Sequence, residues 1–120
     1  MGTVNSFEEL EVWKVGRTAR KALYALARRL PEHERYNLAA QIRSAAISLT
    51  ANIAEGYGRF HFKENIQFCR VSRGSACELL DHLIACCDEG YLEKDEDQEL
   101  RRHLLMFLRL LNIDLCTIDR

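Results

Sequence analysis

The chain has 120 residues, of which 48% are hydrophobic and 29% charged, with 17 Lys+Arg against 18 Asp+Glu. That length is one domain's worth, able to bury roughly two-thirds of its unfolded surface without staples, and the composition excludes a disordered tail. The net charge of −1 argues against a uniformly basic nucleic-acid binder, and apolar runs such as Leu104 to Leu108 are far below the ~20 residues of a membrane span. Chain-breaking residues are sparse: Pro31 is the single proline, and the interior glycines are Gly16, Gly56, Gly58, Gly74 and Gly90. They divide the chain into four long segments, 7–30, 32–56, 60–89 and 94–119.

Ser6 followed by Glu9 predicts a capping box for the first helix. Pro31 suits the first turn of the second, in which Leu38, Ile42, Ala45, Leu49 and Ile53 recur at helical spacing up to a Gly56-Tyr57-Gly58 turn. Gly90 supplies a left-handed stop for the third helix. Asp95 with Gln98 is a looser capping box for the fourth, whose apolar stripe is Leu100, Leu104, Phe107, Leu111 and Ile118. Strand-like alternation is absent, and short connections imply antiparallel neighbours. The expectation is an all-α, up-and-down four-helix bundle filling residues 1–120 as one domain.

The fourth helix is also apolar away from that stripe, at Leu105, Met106, Leu108, Leu110, Ile113 and Leu115. Patches of this kind mark interfaces, so self-association through this helix is expected. Nothing in Met1 to Ser6 resembles a secretion signal, which places the chain in the cytoplasm, away from membranes. Five cysteines with no CxxC fit neither a disulfide framework nor a zinc ribbon, so reduced thiols are expected.

Charge is unevenly distributed. Residues 12–73 hold twelve Lys+Arg and four Asp+Glu, whereas residues 74–100 hold nine acids and Lys94 alone. Lys14, Lys21 and Arg28 repeat every seven residues with Arg17 beside them, and Arg59, Lys63, Arg70 and Arg73 recur along the third segment. Such stripes suit a phosphate backbone; the competing reading is an ordinary solvated surface arranged to favour the helix dipoles. Lys63 opposes its helix dipole, and with Arg59 and His61 it is a candidate phosphate contact. Aromatic residues near these cations are confined to Tyr57, Phe60 and Phe62.

Polar residues also fall beside the apolar stripes. Gln41, Ser48, Asn52 and Glu55 on the second helix, with Ser72, Ser75, Glu78 and His82 on the third, predict a hydrogen-bonded seam that fixes helix register. The alternative is an active site in which Glu55, Glu78 and His82 do acid–base work or join Cys86 around a metal. No His has a Glu three residues before it, as a di-metal bundle requires, so neither metal nor cofactor is expected. Gly56-Tyr57-Gly58-Arg59 is no phosphate-binding loop, because it lacks both the motif and a preceding strand.

These residues form a set: Phe7-Glu8-Glu9-Leu10-Glu11-Val12-Trp13, Glu34-Arg35-Tyr36, Gln41-Ile42-Arg43, Asn52-Ile53-Ala54-Glu55-Gly56-Tyr57-Gly58-Arg59, Arg73-Gly74-Ser75 and Gly90-Tyr91-Leu92. The set resembles the four-helix bundle proteins encoded by intervening sequences of bacterial 23S ribosomal RNA genes, over nearly the whole chain. The resemblance implies a ring-like homopentamer without enzymatic activity. It further implies kinship with the accessory variability protein of diversity-generating retroelements, a basic pentamer that binds nucleic acid and a reverse transcriptase. The chain departs from those strongly basic relatives in its near-zero net charge and acidic 78–99 stretch. The expectation is therefore a non-enzymatic oligomer whose Lys14, Arg17, Lys21, Arg28, Arg59, Lys63, Arg70 and Arg73 contact structured RNA or an RNA–protein complex. The rival expectation is a protein-interaction adaptor that reaches nucleic acid only through a partner.

Overall fold

A computed structural model describes residues 6–59 and 61–118, with side chains for all of these except Phe62 and residues 113–118. A 3-10 turn at Phe7–Glu9 leads into α1 (Glu11–Arg29), and a second at Glu32–Glu34 leads into α2 (Leu38–Tyr57). Helices α3 (Phe62–Asp88) and α4 (Lys94–Ile118) follow, and every regular element among the described residues is helical.

Cross-helix contacts set the directions. Ser72 and Ser75 of α3 bond to Leu49 and Ser48 of α2, while Gly56 lies against Asn65 and Phe68. Rising numbers on α2 thus meet falling numbers on α3. Gly16 meets Phe107 at one end of the α1–α4 pair and Arg29 meets Glu96 at the other, so these helices are also antiparallel. Helices α1 and α3 each pack on α2 and α4 and, among the described residues, not on each other, so they occupy diagonal corners. The expected bundle is present.

The helix boundaries differ from expectation at three places. Ser6 accepts a bond from the Glu8 N–H and so caps the 3-10 turn, while extended Leu10 separates that turn from α1. Pro31 does not open α2; the chain makes the Glu32–Glu34 turn first, and α2 begins at Leu38, whose N–H is met from Glu34 Oε1 at 3.4 Å. Asp95 is inside α4 instead of capping it, placing Asp95, Glu96 and Asp97 in the first turn where the dipole favours acids.

The glycines have different causes. Gly90 has φ +77°, and Tyr91 N–H reaches back to the Cys86 carbonyl at 2.8 Å, the six-to-one bond of a left-handed helix stop. Gly56, by contrast, is helical, and α2 continues to Tyr57. Its absent side chain is required by α3, because a Cβ there would stand 2.5 Å from Asn65 Oδ1 and 3.1 Å from Phe68 Cβ.

One contiguous core runs through the bundle, with Leu23, Leu26, Ile42, Leu49, Leu79, Leu83, Leu104, Phe107 and Leu111 fully buried. The predicted stripes of α2 and α4 supply much of it; Ile118 lies outside the described side chains. Three helices converge at Gly16, where a Cβ would stand 2.9 Å from the buried Phe107 ring and 3.3 Å from Thr50 Cγ2. Gly16→Val is expected to lower unfolding free energy by about 1–3 kcal/mol in urea titrations, because Phe107 has no room to yield. An unchanged midpoint would contradict this packing.

Candidate nucleic-acid interface

Lys14, Arg17, Lys21 and Arg28 are all exposed on α1, and offsets of three, four and seven put them on one outward face. Lys14 pairs loosely with Glu11 at 3.9 Å, and the Arg17 guanidinium lies 5.9 Å from the Trp13 ring centre. Lys21 and Arg28 have no ion pair among the described residues. They join Arg20 and Tyr24 of α1 and Ile47 of α2 in an open groove of about 630 Å³. Arg20 donates to Thr50 Oγ1 at 2.7 Å, which fixes its guanidinium beside the groove.

A smaller depression of about 240 Å³ continues past Arg28, bordered by Glu32, Arg35 and Arg43. Arg35 pairs with Glu32 at 3.5 Å and lies 5.2 Å from the Tyr36 ring centre, while Arg43 donates to the Arg35 carbonyl at 3.2 Å. Trp13, Tyr24 and Tyr36 are thus interspersed with Arg17, Lys21, Arg28 and Arg35. The sequence reading gives the α1 stripe but not Arg20 and Tyr24, which lie beside it on the same helix, nor Arg35, Arg43 and Ile47, which join it only once α2 is laid against α1. A signal was present nonetheless: neither 12–29 nor 35–54 contains a single acid.

On α3, Lys63, Arg70 and Arg73 are exposed and have no ion pair among the described residues. Arg59 is differently placed. Its guanidinium stands 3.6 Å from Glu55, 3.9 Å from Glu64 and 5.2 Å from the Phe68 ring centre, so the anticipated phosphate contact with His61 and Lys63 would have to displace two carboxylates. The α1 and α3 stripes occupy diagonal corners, and one short ligand segment cannot lie along both in one subunit. Phe60 lies outside the described residues.

The polar seam is shorter than expected. Ser75 donates to Ser48 at 2.7 Å, Asn52 Nδ2 donates to Ser48 Oγ at 2.8 Å, and buried Ser72 donates to the Leu49 carbonyl at 2.9 Å. Gln41, Glu55 and Glu78 are exposed and lie outside it. They project where α2 and α3 face solvent, Glu55 toward Arg59 and Glu78 toward His82 at 2.8 Å. Glu55 is thus separated from the Glu78–His82 pair, and the three do not form one acid–base site. Cys69, Cys77, Cys86 and Cys87 form no disulfide among the described residues, and burial pushes Cys86 up to about 11, the opposite of what a nucleophile needs. No described residues cluster as three or more metal ligands.

On α4, Leu105 and Met106 are exposed, bordering a groove of about 310 Å³ with Arg102 and Arg109. Leu108 and Leu110 are half-buried against the core instead. The Ile113 side chain is outside those described. At the α3–α4 connection, Asp88, Glu89, Glu93 and Asp95 form an exposed acidic end, whereas Glu96 is paired bidentately with Arg29 at 2.6 and 2.8 Å.

A buried carboxylate ties the two connections at that end together. Glu34 accepts the Tyr91 hydroxyl at 2.8 Å, Asn37 Nδ2 at 3.2 Å and the Leu38 N–H, while His33 Nε2 stands 3.0 Å from the same hydroxyl. The Tyr91 bond holds the Glu34 carboxyl below the usual range against the opposing effect of burial, and Glu34 in turn pushes Tyr91 up to about 12.

Taken together, four helices around one core and a cation-rich, aromatic-bearing face define a small helical-bundle protein whose accessible chemistry is on its surface. No described helix is long and apolar enough to cross a membrane. The chain belongs to the 23S rRNA-intervening sequence protein family, whose sequence model matches residues 8–113. No curated protein matches it.

The Glu34–Tyr91 bond has a signed pH dependence. A carboxyl held low in the folded state stabilises above its ordinary pKa, and that contribution disappears as pH falls through the folded value. Tyr91→Phe is therefore expected to lower Tm at neutral pH, with the gap from wild type narrowing below about pH 4. A gap that stays constant on acidification would contradict the assignment.

Proposed function

We propose that the protein is a non-enzymatic, oligomeric bundle that binds structured RNA or an RNA–protein complex in the cytoplasm, through phosphate contacts of its basic faces. The observation that carries this reading is the α1–α2 side, where Lys21 and Arg28 have no carboxylate partner among the described residues and no acid occurs in 12–29 or 35–54. Cations left unpaired across two packed helices favour a polyanion. The family's name refers to 23S rRNA, which supports RNA as that polyanion. A ring-like homopentamer would repeat the face in each subunit and combine weak contacts through multivalency. Exposed Leu105 and Met106 support α4 as a place for subunits to meet.

The adaptor reading draws on the acidic end. Asp88, Glu89, Glu93 and Asp95 form no ion pair among the described residues and suit a basic protein partner. In the accessory role, such as support of a reverse transcriptase, both surfaces would act together, one holding RNA and the other a protein.

Anisotropy of a labelled RNA hairpin across a salt series tests the proposal, with light scattering reporting assembly mass. Affinity is expected to fall steeply with salt. The double variant Lys21→Glu, Arg28→Glu is expected to reduce the magnitude of the log–log salt slope by about 2, one unit per lost phosphate contact. Arg59→Glu should change it less, since that guanidinium already faces Glu55 and Glu64. No binding at low salt, or an unchanged slope in the double variant, would overturn direct RNA binding and favour the adaptor.

A further inference from the structure

We infer that the α1–α2 groove is a binding site for an unpaired nucleotide, its base lying against Tyr24 and Ile47 and its flanking phosphates on Lys21 and Arg28. The inference rests on the RNA-binding reading above and specifies the kind of RNA. A surface that only tracks duplex phosphates needs exposed cations and no apolar recess between them. This face has the recess. Its volume of about 630 Å³ is within the range of small-molecule sites, and Tyr24 and Ile47 give it an aromatic and an aliphatic wall.

Ile47 is 49% exposed although it is a large aliphatic side chain. Its neighbours one turn away on α2 leave it uncovered: Ser44 and Ala51 are small, Thr50 is buried, and the Arg43 guanidinium is bonded to the Arg35 carbonyl. Lys21 and Arg28 stand two turns apart, about 10 Å along the axis, with Tyr24 between them on the same face. That order of cation, aromatic and cation matches phosphate, base and phosphate. Arg20, held by Thr50, adds a third positive group, and neither helix contributes a carboxylate to the lining. A paired base cannot enter, because its faces are occupied by stacking and its edge by its partner; an unpaired base presents a free π-face to Tyr24.

The test compares an unstructured RNA oligonucleotide with a blunt RNA duplex carrying the same number of phosphates. A 2-aminopurine placed in the unstructured strand reports stacking by its fluorescence. The unstructured RNA is expected to bind more tightly and its 2-aminopurine to be quenched. Ile47→Glu, at a surface position, and Tyr24→Leu, which keeps bulk but removes the ring, should each weaken it by about five-fold or more and leave duplex binding less affected. Thermal melts by circular dichroism confirm that both variants remain folded, and Ile47→Glu keeps the test decisive if Tyr24→Leu does not. Equal affinity for both RNAs, with both variants indifferent, would overturn the groove while leaving phosphate-based RNA binding intact. Binding of neither RNA would overturn both. A loss of assembly mass in Ile47→Glu without change in RNA affinity would assign the groove to a second copy of this chain and overturn the inference.

Discussion

Close packing of α2 against both neighbours is the constraint on which the other features depend. It is achieved with small side chains: Ala45 and Ala46 are buried in the core, Ser48 bonds to Ser75, Ser72 bonds to the Leu49 carbonyl, and Gly56 admits Asn65 and Phe68. Across the other interface, Gly16 of α1 leaves space for Thr50 and the Phe107 ring. Where backbones approach this closely, dispersion contacts accumulate and buried hydroxyls find carbonyl or hydroxyl partners across the gap.

The same economy of side chains shapes the surface. With small residues on much of α2, the cations of α1 have no carboxylate opposite them, and Ile47 remains uncovered beside Lys21, Tyr24 and Arg28. Acids are concentrated instead near the α3–α4 connection. At the boundary between the two regions, Arg29 grips Glu96 and the Glu34 carboxylate receives Tyr91, tying both connections at one end of the bundle. The molecule therefore carries a cationic face and an acidic end within a net charge of −1.

The core stripes were legible because each is a property of one helix read against its own period, and helix number and direction because the chain breakers are few and the connections between helices short. Gly90 was legible for the same reason, since its left-handed φ is a local requirement. The start of α2 was not, because Pro31 opens a 3-10 turn and the helix is met by Glu34, a capping group held by distant Tyr91. Gly56 has the sequence signature of a turn residue, yet its conformation is helical and its reason is α3. The seam was legible at Ser48, Asn52, Ser72 and Ser75 but overextended to Gln41, Glu55 and Glu78, because helical spacing does not report how far apart two helices are. The groove was half legible. Periodicity aligns Lys21, Tyr24 and Arg28, but only the α1–α2 interface brings Ile47 into the same groove and only the fold separates the α1 stripe from that of α3.

Ultraviolet cross-linking of the protein bound to RNA, followed by peptide mass spectrometry, addresses the central claim most directly, because it locates the nucleic acid on the intact molecule without any substitution. Adducts are expected on the α1 peptides that carry Lys21, Tyr24 and Arg28, with the acidic peptides from Asp88 to Glu99 unmodified. Adducts confined to α3 and α4, with α1 unmodified at saturating RNA, would contradict it.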